Sequence, residues 1–190
     1  WGPFLAEFAR KNQLIRFGQR GNGLSDWEFE RLSPDKMIED MEAVVEASGV
    51  DRFALFGISQ GMAFAVRYAL KHPDKVSSLI LFNGYTCGRM ARASTEDEAI
   101  HNASQMMIKE GWGSTNPVFR IFFSSTFLTD ATQEQKDCFD ELQRISCTGE
   151  NVARIAAMNS QMDNSEFAGQ IDVPTLVLHI TGDRQGPVSE

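Results

Sequence analysis

The chain has 190 residues, 42% apolar and 23% charged, with a formal net charge of −8 at pH 7. This is the composition of an ordinary globular protein, long enough for one domain or for a core with an inserted subdomain. Scattered Lys and Arg residues within an acidic chain argue against nucleic-acid binding. No apolar run approaches the roughly 18 residues that cross a bilayer, so we expect no membrane insertion.

The cysteines indicate a reducing environment. Cys87, Cys138 and Cys147 are too few and too widely spaced for a disulfide framework, and no C-x-x-C pair suggests zinc. We therefore expect free thiols and a cytoplasmic location. The chain begins at Trp1 rather than Met, which is compatible with its being a piece of a longer protein.

The first half of the chain alternates helix and strand patterns. The spacing of apolar residues predicts a helix over 1–11, a strand over 13–17 and then a glycine-rich loop over 18–27. Ser33 followed by Pro34 is an N-cap with proline at the first helical position, and it predicts a helix to about residue 48. The chain continues with a predicted strand over 52–57, a helix over 60–73 and a strand over 76–84. This order predicts parallel strands joined by right-handed crossovers.

The second half is predicted to be helical until one final strand. Helical patterns cover about 95–111, 117–128, 133–147 and 150–162, and a buried strand returns over 173–183. We expect an α/β core made of residues 1–85 and 170–190, interrupted by a helical cap over 86–169.

Ser59 lies between two glycines, in the stretch LFGISQGMAF at residues 55–64. An apolar strand precedes it, a helix follows it, and Gly57 and Gly61 supply the small residues that a sharp strand-to-helix turn needs. Such a turn aims the hydroxyl at the start of the helix, where the Gln60 N–H can stabilise an oxyanion. The alternative is a structural serine in an ordinary turn.

Three stretches taken together resemble the α/β-hydrolase superfamily over nearly the whole chain. They are LIRFGQRGNGLSDW, FALFGISQGMAFAVRYALKHPDKVSSLILFNGY and VPTLVLHITGD. The cap segments GWGSTNPVFRIFFSSTF, TQEQKDCFDELQRIS and ENVARIAAM are similar to a narrower bacterial group. In that group the hydrolase domain occurs alone or fused to adenylate-cyclase or helix-turn-helix regulators.

The resemblance implies a catalytic acid at Asp183, which would orient a histidine and stabilise its charged form. A turn-forming role for Asp183 beside Gly182 is the alternative. No histidine stands where the superfamily has its base. His72 ends a helix near Pro73, His179 lies within the last strand and His101 lies in the cap. We therefore expect the catalytic histidine to be absent from this chain.

The resemblance also implies that strands are missing at both ends. The superfamily has two or three strands before residue 1 and one after residue 190, so the sheet would have a gap between 13–17 and 52–57. These two segments would pair directly, or a second copy would complete the sheet as a homodimer. In the loop that resembles D-x-R-G-x-G-x-S, Arg20, Gly21 and Gly23 match, but Gly18 replaces a structural aspartate.

The cap is rich in Met and Phe, which most simply pack its core. Phe119, Phe122 and Phe123 are the candidates for an apolar acyl pocket over Ser59, because caps in the superfamily roof the site. No metal cluster, phosphate loop or dinucleotide motif is present in the sequence, so we expect no cofactor.

Hydrolysis of a small-molecule carboxylic ester through an acyl-enzyme on Ser59 is the leading hypothesis, with weak or no activity in these 190 residues. Amidase and perhydrolase chemistry use the same groups and stay open. A ligand-binding or regulatory domain on a hydrolase scaffold is the alternative from another class, and a non-functional gene fragment is a third.

Overall fold

A three-stranded parallel sheet forms the centre of the computed structural model. Its order is β1 (Phe53–Ile58), β2 (Val76–Phe82) and β3 (Thr175–Leu178), with β2 in the middle. The predicted α/β class with parallel strands is confirmed. The structure describes residues 2–92, 95–128 and 130–181, without the side chains of residues 95–97.

Helices cover both faces of this sheet. They are α1 (Gly2–Ala9), α2 (Pro34–Ser48) and α3 (Gly61–Lys71). Leu79 and Leu81 of β2 are buried in one core with α2 and α3. On the other face Phe56 stacks on Phe82, with ring centroids 6.4 Å apart, and the α1 rings of Phe4 and Phe8 lie 6.3 and 5.7 Å from Phe56.

The start of α2 follows from its sequence. The Ser33 hydroxyl accepts a 3.2 Å hydrogen bond from the Lys36 N–H, and Pro34 occupies the first turn, where its missing N–H costs nothing. The helix ends at Gly49, whose φ of 67° is left-handed and suits glycine. The predicted helix is confirmed here.

The predicted strand over 13–17 is wrong. These residues have no regular secondary structure, and the side chains of Leu14, Ile15 and Phe17 are 40, 42 and 46% exposed. A strand needs a hydrogen-bonded neighbour, and β1 pairs only with β2 within the described residues. Apolar, β-prone residues alone therefore do not make this segment a strand.

Five helices lie between β2 and β3 in the described residues; we call them the cap after the cap predicted over 86–169, whose existence as a separate domain stays a prediction. They are α4 (Thr95–Gly111), α5 (Pro117–Phe127), α6 (Gln133–Ser146), α7 (Gly149–Ser160) and the short α8 (Ser165–Ala168). The first four match the predicted helices to within two residues, whereas α8 was not predicted. Thr132 and Gln135 form a reciprocal capping box at the start of α6, and Asn116 caps α5.

The cap is fastened to the core through buried polar groups. Asn164 is fully buried: its Nδ2 donates to the Ala63 carbonyl at 3.0 Å, and its Oδ1 accepts from Arg67 Nε at 2.7 Å. Its backbone N–H donates to the Thr86 carbonyl at 2.8 Å. Asn164 thus joins α3, the loop after β2 and the end of the cap.

The glycine-rich loop over 18–27 has Gly18 at the position where the superfamily has a structural aspartate, and other contacts order the loop. A Cβ on Gly18 would lie 2.8 Å from the Asn22 carbonyl oxygen, and the Ser25 hydroxyl donates to the Gly18 carbonyl at 2.6 Å. Arg20 forms a two-pronged ion pair with Asp40, at 2.7 and 2.6 Å. The loop is therefore closed by Ser25 and Arg20.

Both outer strands keep a free edge within the described residues. Each of β1 and β3 pairs only with β2, and all four residues of β3 are exposed. Completion of the sheet by a second copy stays a prediction. In the part of the chain that the structure describes, no helix combines the length and apolarity that a membrane span requires.

Candidate active site

Ser59 forms the turn between β1 and α3. Its φ of 52° lies in the left-handed region, where a non-glycine residue is strained by about 1–3 kcal/mol. Its backbone N–H donates to the Phe82 carbonyl at 2.9 Å, and its carbonyl accepts from the Met62 N–H at 3.0 Å. The strained turn is therefore held at both ends by the backbone of the sheet and of the helix.

The Ser59 side chain takes no part in holding this turn within the described residues. The residue is exposed, and its hydroxyl makes no hydrogen bond within the described residues. The local fold therefore does not need a hydroxyl at position 59, either for packing or for hydrogen bonding. A strained, exposed serine at a strand-to-helix turn is compatible with the predicted nucleophile elbow, and the nucleophile role of Ser59 stays a prediction.

Gln60 occupies the N-terminus of α3. Among the described residues its backbone N–H has no acceptor, so it can donate to an anion at the positive end of the helix dipole. Its side-chain Oε1 accepts a short hydrogen bond from Asn159 Nδ2 of α7, and Asn159 is only 3% exposed. A buried cap residue thus holds the residue that follows Ser59.

The glycines around the turn differ in how much space a side chain would have. A Cβ on Gly57 would lie 2.8 Å from both Met62 Cα and Ala65 Cβ, so only glycine lets β1 approach α3 this closely. A Cβ on Gly61 would meet nothing within 4 Å in the described structure. A Cβ on Gly84 would lie 2.4 Å from the Ser59 carbonyl oxygen. Gly57 and Gly84 are therefore the sterically required glycines.

The segment that leads to Asp183 is tied to the end of β2. Asn83 has a left-handed φ of 50°, its N–H donates to the Leu178 carbonyl at 2.8 Å, and its Oδ1 accepts from the Ile180 N–H at 2.9 Å. Asp183 itself lies outside the described residues, so its role as the acid stays a prediction.

None of the three histidines hydrogen-bonds with Ser59 in the described structure. His72 ends α3, and its Nε2 lies 2.6 Å from Glu42 Oε1. His101 is half-buried on α4, where burial and then the charge of Arg89 lower its pKa. His179 directly follows β3. The base for Ser59 therefore stays unassigned among these residues.

The three phenylalanines proposed for the pocket are packed on α5. Phe123 is 1% exposed, with its ring 5.2 Å from that of Trp112. Phe119 lies against Gly111, where a Cβ would come within 2.2 Å of its ring. Phe122 is half-buried and packs on Phe123. Phe123 is thus buried in the cap, and the pocket role of all three stays a prediction.

Three cavities that border α2 do not include Ser59 in their lining. One of about 460 Å³ lies between α2, α3 and α7, and its lining includes Pro34, Arg67 and Met158 but not Ser59. Within the described ranges, no group of three or more His, Cys, Asp or Glu side chains is arranged to hold a metal ion. Burial raises the pKa of Tyr85, which follows Gly84.

Sequence reasoning missed two residues of this region. Asn159 contacts Gln60 from 99 positions away, and no local pattern reveals such a contact. Asn83 carried a usable signal, because an Asn-Gly pair directly after a buried strand favours a left-handed residue.

Comparison with known proteins gives a consistent family. The family model described as the α/β hydrolase fold matches residues 1–106. A similar curated protein is the pyrrolizixenacetamide deacetylase of Xenorhabdus hominickii, 23% identical over 190 residues, which cover 100% of this chain and 70% of that protein.

Solved structures agree with this fold. A hydrolase from Pseudomonas aeruginosa superposes with a TM-score of 0.81 at 19% identity, covering 100% of this chain and 69% of that one. The enol-lactonase from Burkholderia xenovorans superposes with a TM-score of 0.79 at 19% identity, covering 100% and 70%. At these identities the structural likeness concerns the fold alone.

Proposed function

Because this chain belongs to the α/β hydrolase fold family, we propose that it hydrolyses carboxylic esters through a covalent acyl intermediate on Ser59. The single observation that carries the proposal is the geometry of Ser59: left-handed, exposed and unpaired at the start of α3. The adjacent Gln60 N–H, which has no acceptor in the described structure, supplies the matching oxyanion donor.

The proposed reaction has two steps, acylation of Ser59 and hydrolysis of the acyl-enzyme. Ser59 Oγ attacks the substrate carbonyl carbon while its proton passes to a base, and the Gln60 N–H stabilises the oxyanion. The alcohol leaves with that proton, and the acyl group stays on Ser59. Water then attacks the acyl-enzyme in the same way and releases the carboxylic acid. Asp183 is proposed to orient the base, as the superfamily resemblance implies.

The substrate class is an acyl compound, with the ester as the first choice. A similar protein is named a deacetylase and a structural neighbour an enol-lactonase, so amide and ester substrates both occur among the chain's likenesses. An activated ester needs the least help from a base, because its leaving group departs without protonation. We therefore expect ester cleavage to exceed amide cleavage.

Phe122 is the proposed acyl-pocket residue. Phe123 is buried against Trp112 and Phe119 packs on Gly111, whereas Phe122, which is half-buried like Phe119, packs on Phe123 and leaves part of its ring exposed. An apolar ring at this place would favour an acyl chain over a charged group.

Hydrolysis of 4-nitrophenyl acetate and of 4-nitroacetanilide tests the proposal. Because no histidine hydrogen-bonds with Ser59 in the described structure, we expect at most weak ester turnover, which is lost in Ser59→Ala and kept in Ser104→Ala, a matched change on α4. Turnover that survives in Ser59→Ala would contradict the role of Ser59. The absence of turnover in the unaltered chain would contradict esterase activity in these 190 residues.

A ligand-binding or regulatory role is the second candidate. It is favoured by one observation, that no histidine hydrogen-bonds with Ser59 in the described structure. If 4-nitrophenol or acetate reversibly raises the thermal stability of the protein and no turnover is seen, ligand binding would be supported over catalysis.

A further inference from the structure

The end of β2 contacts the Ser59 turn directly. The Phe82 carbonyl accepts the Ser59 N–H at 2.9 Å, and Gly84 lies so close that a Cβ would come within 2.4 Å of the Ser59 carbonyl oxygen. The residues on either side of Asn83 are therefore fixed against the nucleophile turn.

Asn83 itself contacts the other strand. The regular pairing of β2 with β3 ends at Phe82 and Leu178. Asn83 extends it by two hydrogen bonds, from its N–H to the Leu178 carbonyl at 2.8 Å and from the Ile180 N–H to its Oδ1 at 2.9 Å. Asp183 follows Ile180 by three positions in the sequence.

The residue type fits this double contact. A left-handed φ of 50° is tolerated by Gly, Asn and Asp and is costly for other residues. Of these three, only Asn and Asp carry an oxygen that can accept the Ile180 N–H. Glycine would keep the backbone and lose the acceptor, so it separates the two contributions.

We infer that Asn83 is a positioning residue, which fixes the exit of β3 at Ile180, three positions before the proposed acid in the sequence, relative to the Ser59 turn. The inference rests on the proposed function of Ser59 and Asp183. The two hydrogen bonds described above join Asn83 to the backbone of Leu178 and Ile180.

Amide hydrogen exchange of Ile180, followed by NMR on the full chain, tests the positioning. Asn83→Gly should speed this exchange by about tenfold, since a hydrogen bond of about 1.4 kcal/mol corresponds to that factor. Asn83→Asp should leave it near the original rate, because the carboxylate still accepts. Asn22→Gly is the matched control, at a loop asparagine whose side chain makes no hydrogen bond in the described structure. Equal exchange in Asn83→Gly and the unaltered chain would overturn the inference.

The rate of Ser59 labelling by a fluorophosphonate tests the consequence for reactivity. We expect Asn83→Gly to slow labelling several-fold, Asn83→Asp to restore it, and Asn83→Gly to have no further effect in an Asp183→Asn background. A full additional loss in that background would mark a general structural effect and overturn the positioning role. Failure of the unaltered chain to be labelled would count against the proposed function and this consequence alike, while the exchange of Ile180 would still decide the positioning.

Discussion

Ser59 and Phe82 are joined by a backbone hydrogen bond of 2.9 Å, from the Ser59 N–H to the Phe82 carbonyl, at the C-terminal ends of β1 and β2. The turn at Ser59, the proposed nucleophile, is therefore anchored to the sheet by its main chain, and the hydroxyl takes no part in this anchor. Because alanine keeps that N–H, Ser59→Ala removes the reactive atom while leaving this anchor in place.

The glycines on either side of Ser59 should differ in their effect on stability. Gly57→Ala puts a methyl group 2.8 Å from Met62 Cα and Ala65 Cβ, so we expect the free energy of unfolding to fall by about 1–3 kcal/mol. Gly61→Ala is the matched control, because its methyl group meets nothing within 4 Å, and stability should hold or rise by up to about 1 kcal/mol. Urea denaturation followed by tryptophan fluorescence measures both; equal losses would contradict this account.

We expect the buried Asn164 to contribute more to the free energy of unfolding than an exposed asparagine does. Asn164→Ala leaves the Ala63 carbonyl without its side-chain donor and Arg67 Nε without its acceptor, so we expect a loss of about 1–3 kcal/mol. Asn12→Ala removes only an exposed bond to Phe8 and should cost less than about 0.5 kcal/mol. Thermal and urea unfolding would show the difference, and similar losses would argue against a fastening role for Asn164.

Asn159 should influence the reactivity of Ser59 through Gln60. Asn159→Ala removes the donor to the Gln60 side chain, and the loosened Gln60 backbone should hold an oxyanion less well. With a hydrogen bond worth about 0.5–1.5 kcal/mol, we expect fluorophosphonate labelling of Ser59 to slow about two- to tenfold. Asn102→Ala, an exposed change on α4, serves as the control. An unchanged labelling rate in folded Asn159→Ala would refute the coupling.

The stability of the fold should fall at mildly acidic pH because of His101. Burial, and secondarily Arg89, lower the pKa of His101 in the folded state. The unfolded chain therefore takes up this proton first as the pH falls below about 6.5, and the balance shifts toward unfolding. The contribution is present above that pH and is lost as the pH falls toward the folded pKa.

His101→Gln isolates this contribution. Urea unfolding at pH 7.5 and at pH 5.5 should show a larger drop in stability for the unaltered chain than for His101→Gln. The comparison subtracts the effect of other groups, such as Glu42, whose pKa is lowered by Lys71 and His72. The same pH dependence in both chains would show that His101 does not contribute it.

The helices were predictable because their signals are local. Ser33 and Pro34 begin α2, and the polar and glycine breaks separate α4 to α7, so those four helices matched to within two residues. The short α8 was missed because a four-residue helix has too little periodicity to detect. The strand prediction at 13–17 was wrong because strand formation depends on a hydrogen-bonded partner, which the local sequence does not reveal.

The candidate site was predictable only where the motif is contiguous. Gly57, Ser59, Gln60 and Gly61 occupy the expected turn, yet the steric reason holds for Gly57 alone. The side-chain contacts that support the turn come from distant segments: Asn159 reaches Gln60 from α7. Long-range side-chain pairing of this kind has no periodic signature in the sequence.

Intact-mass analysis after reaction with a fluorophosphonate tests the central claim most directly, with Ser59→Ala and Ser104→Ala treated in parallel. An activated Ser59 predicts the gain of one probe in the unaltered chain and in Ser104→Ala, with none in Ser59→Ala, and peptide mapping places the adduct on Ser59. A gain that persists in Ser59→Ala would contradict the assignment of Ser59 as the nucleophile, and no gain in any of the chains would contradict the activation of Ser59 within these 190 residues.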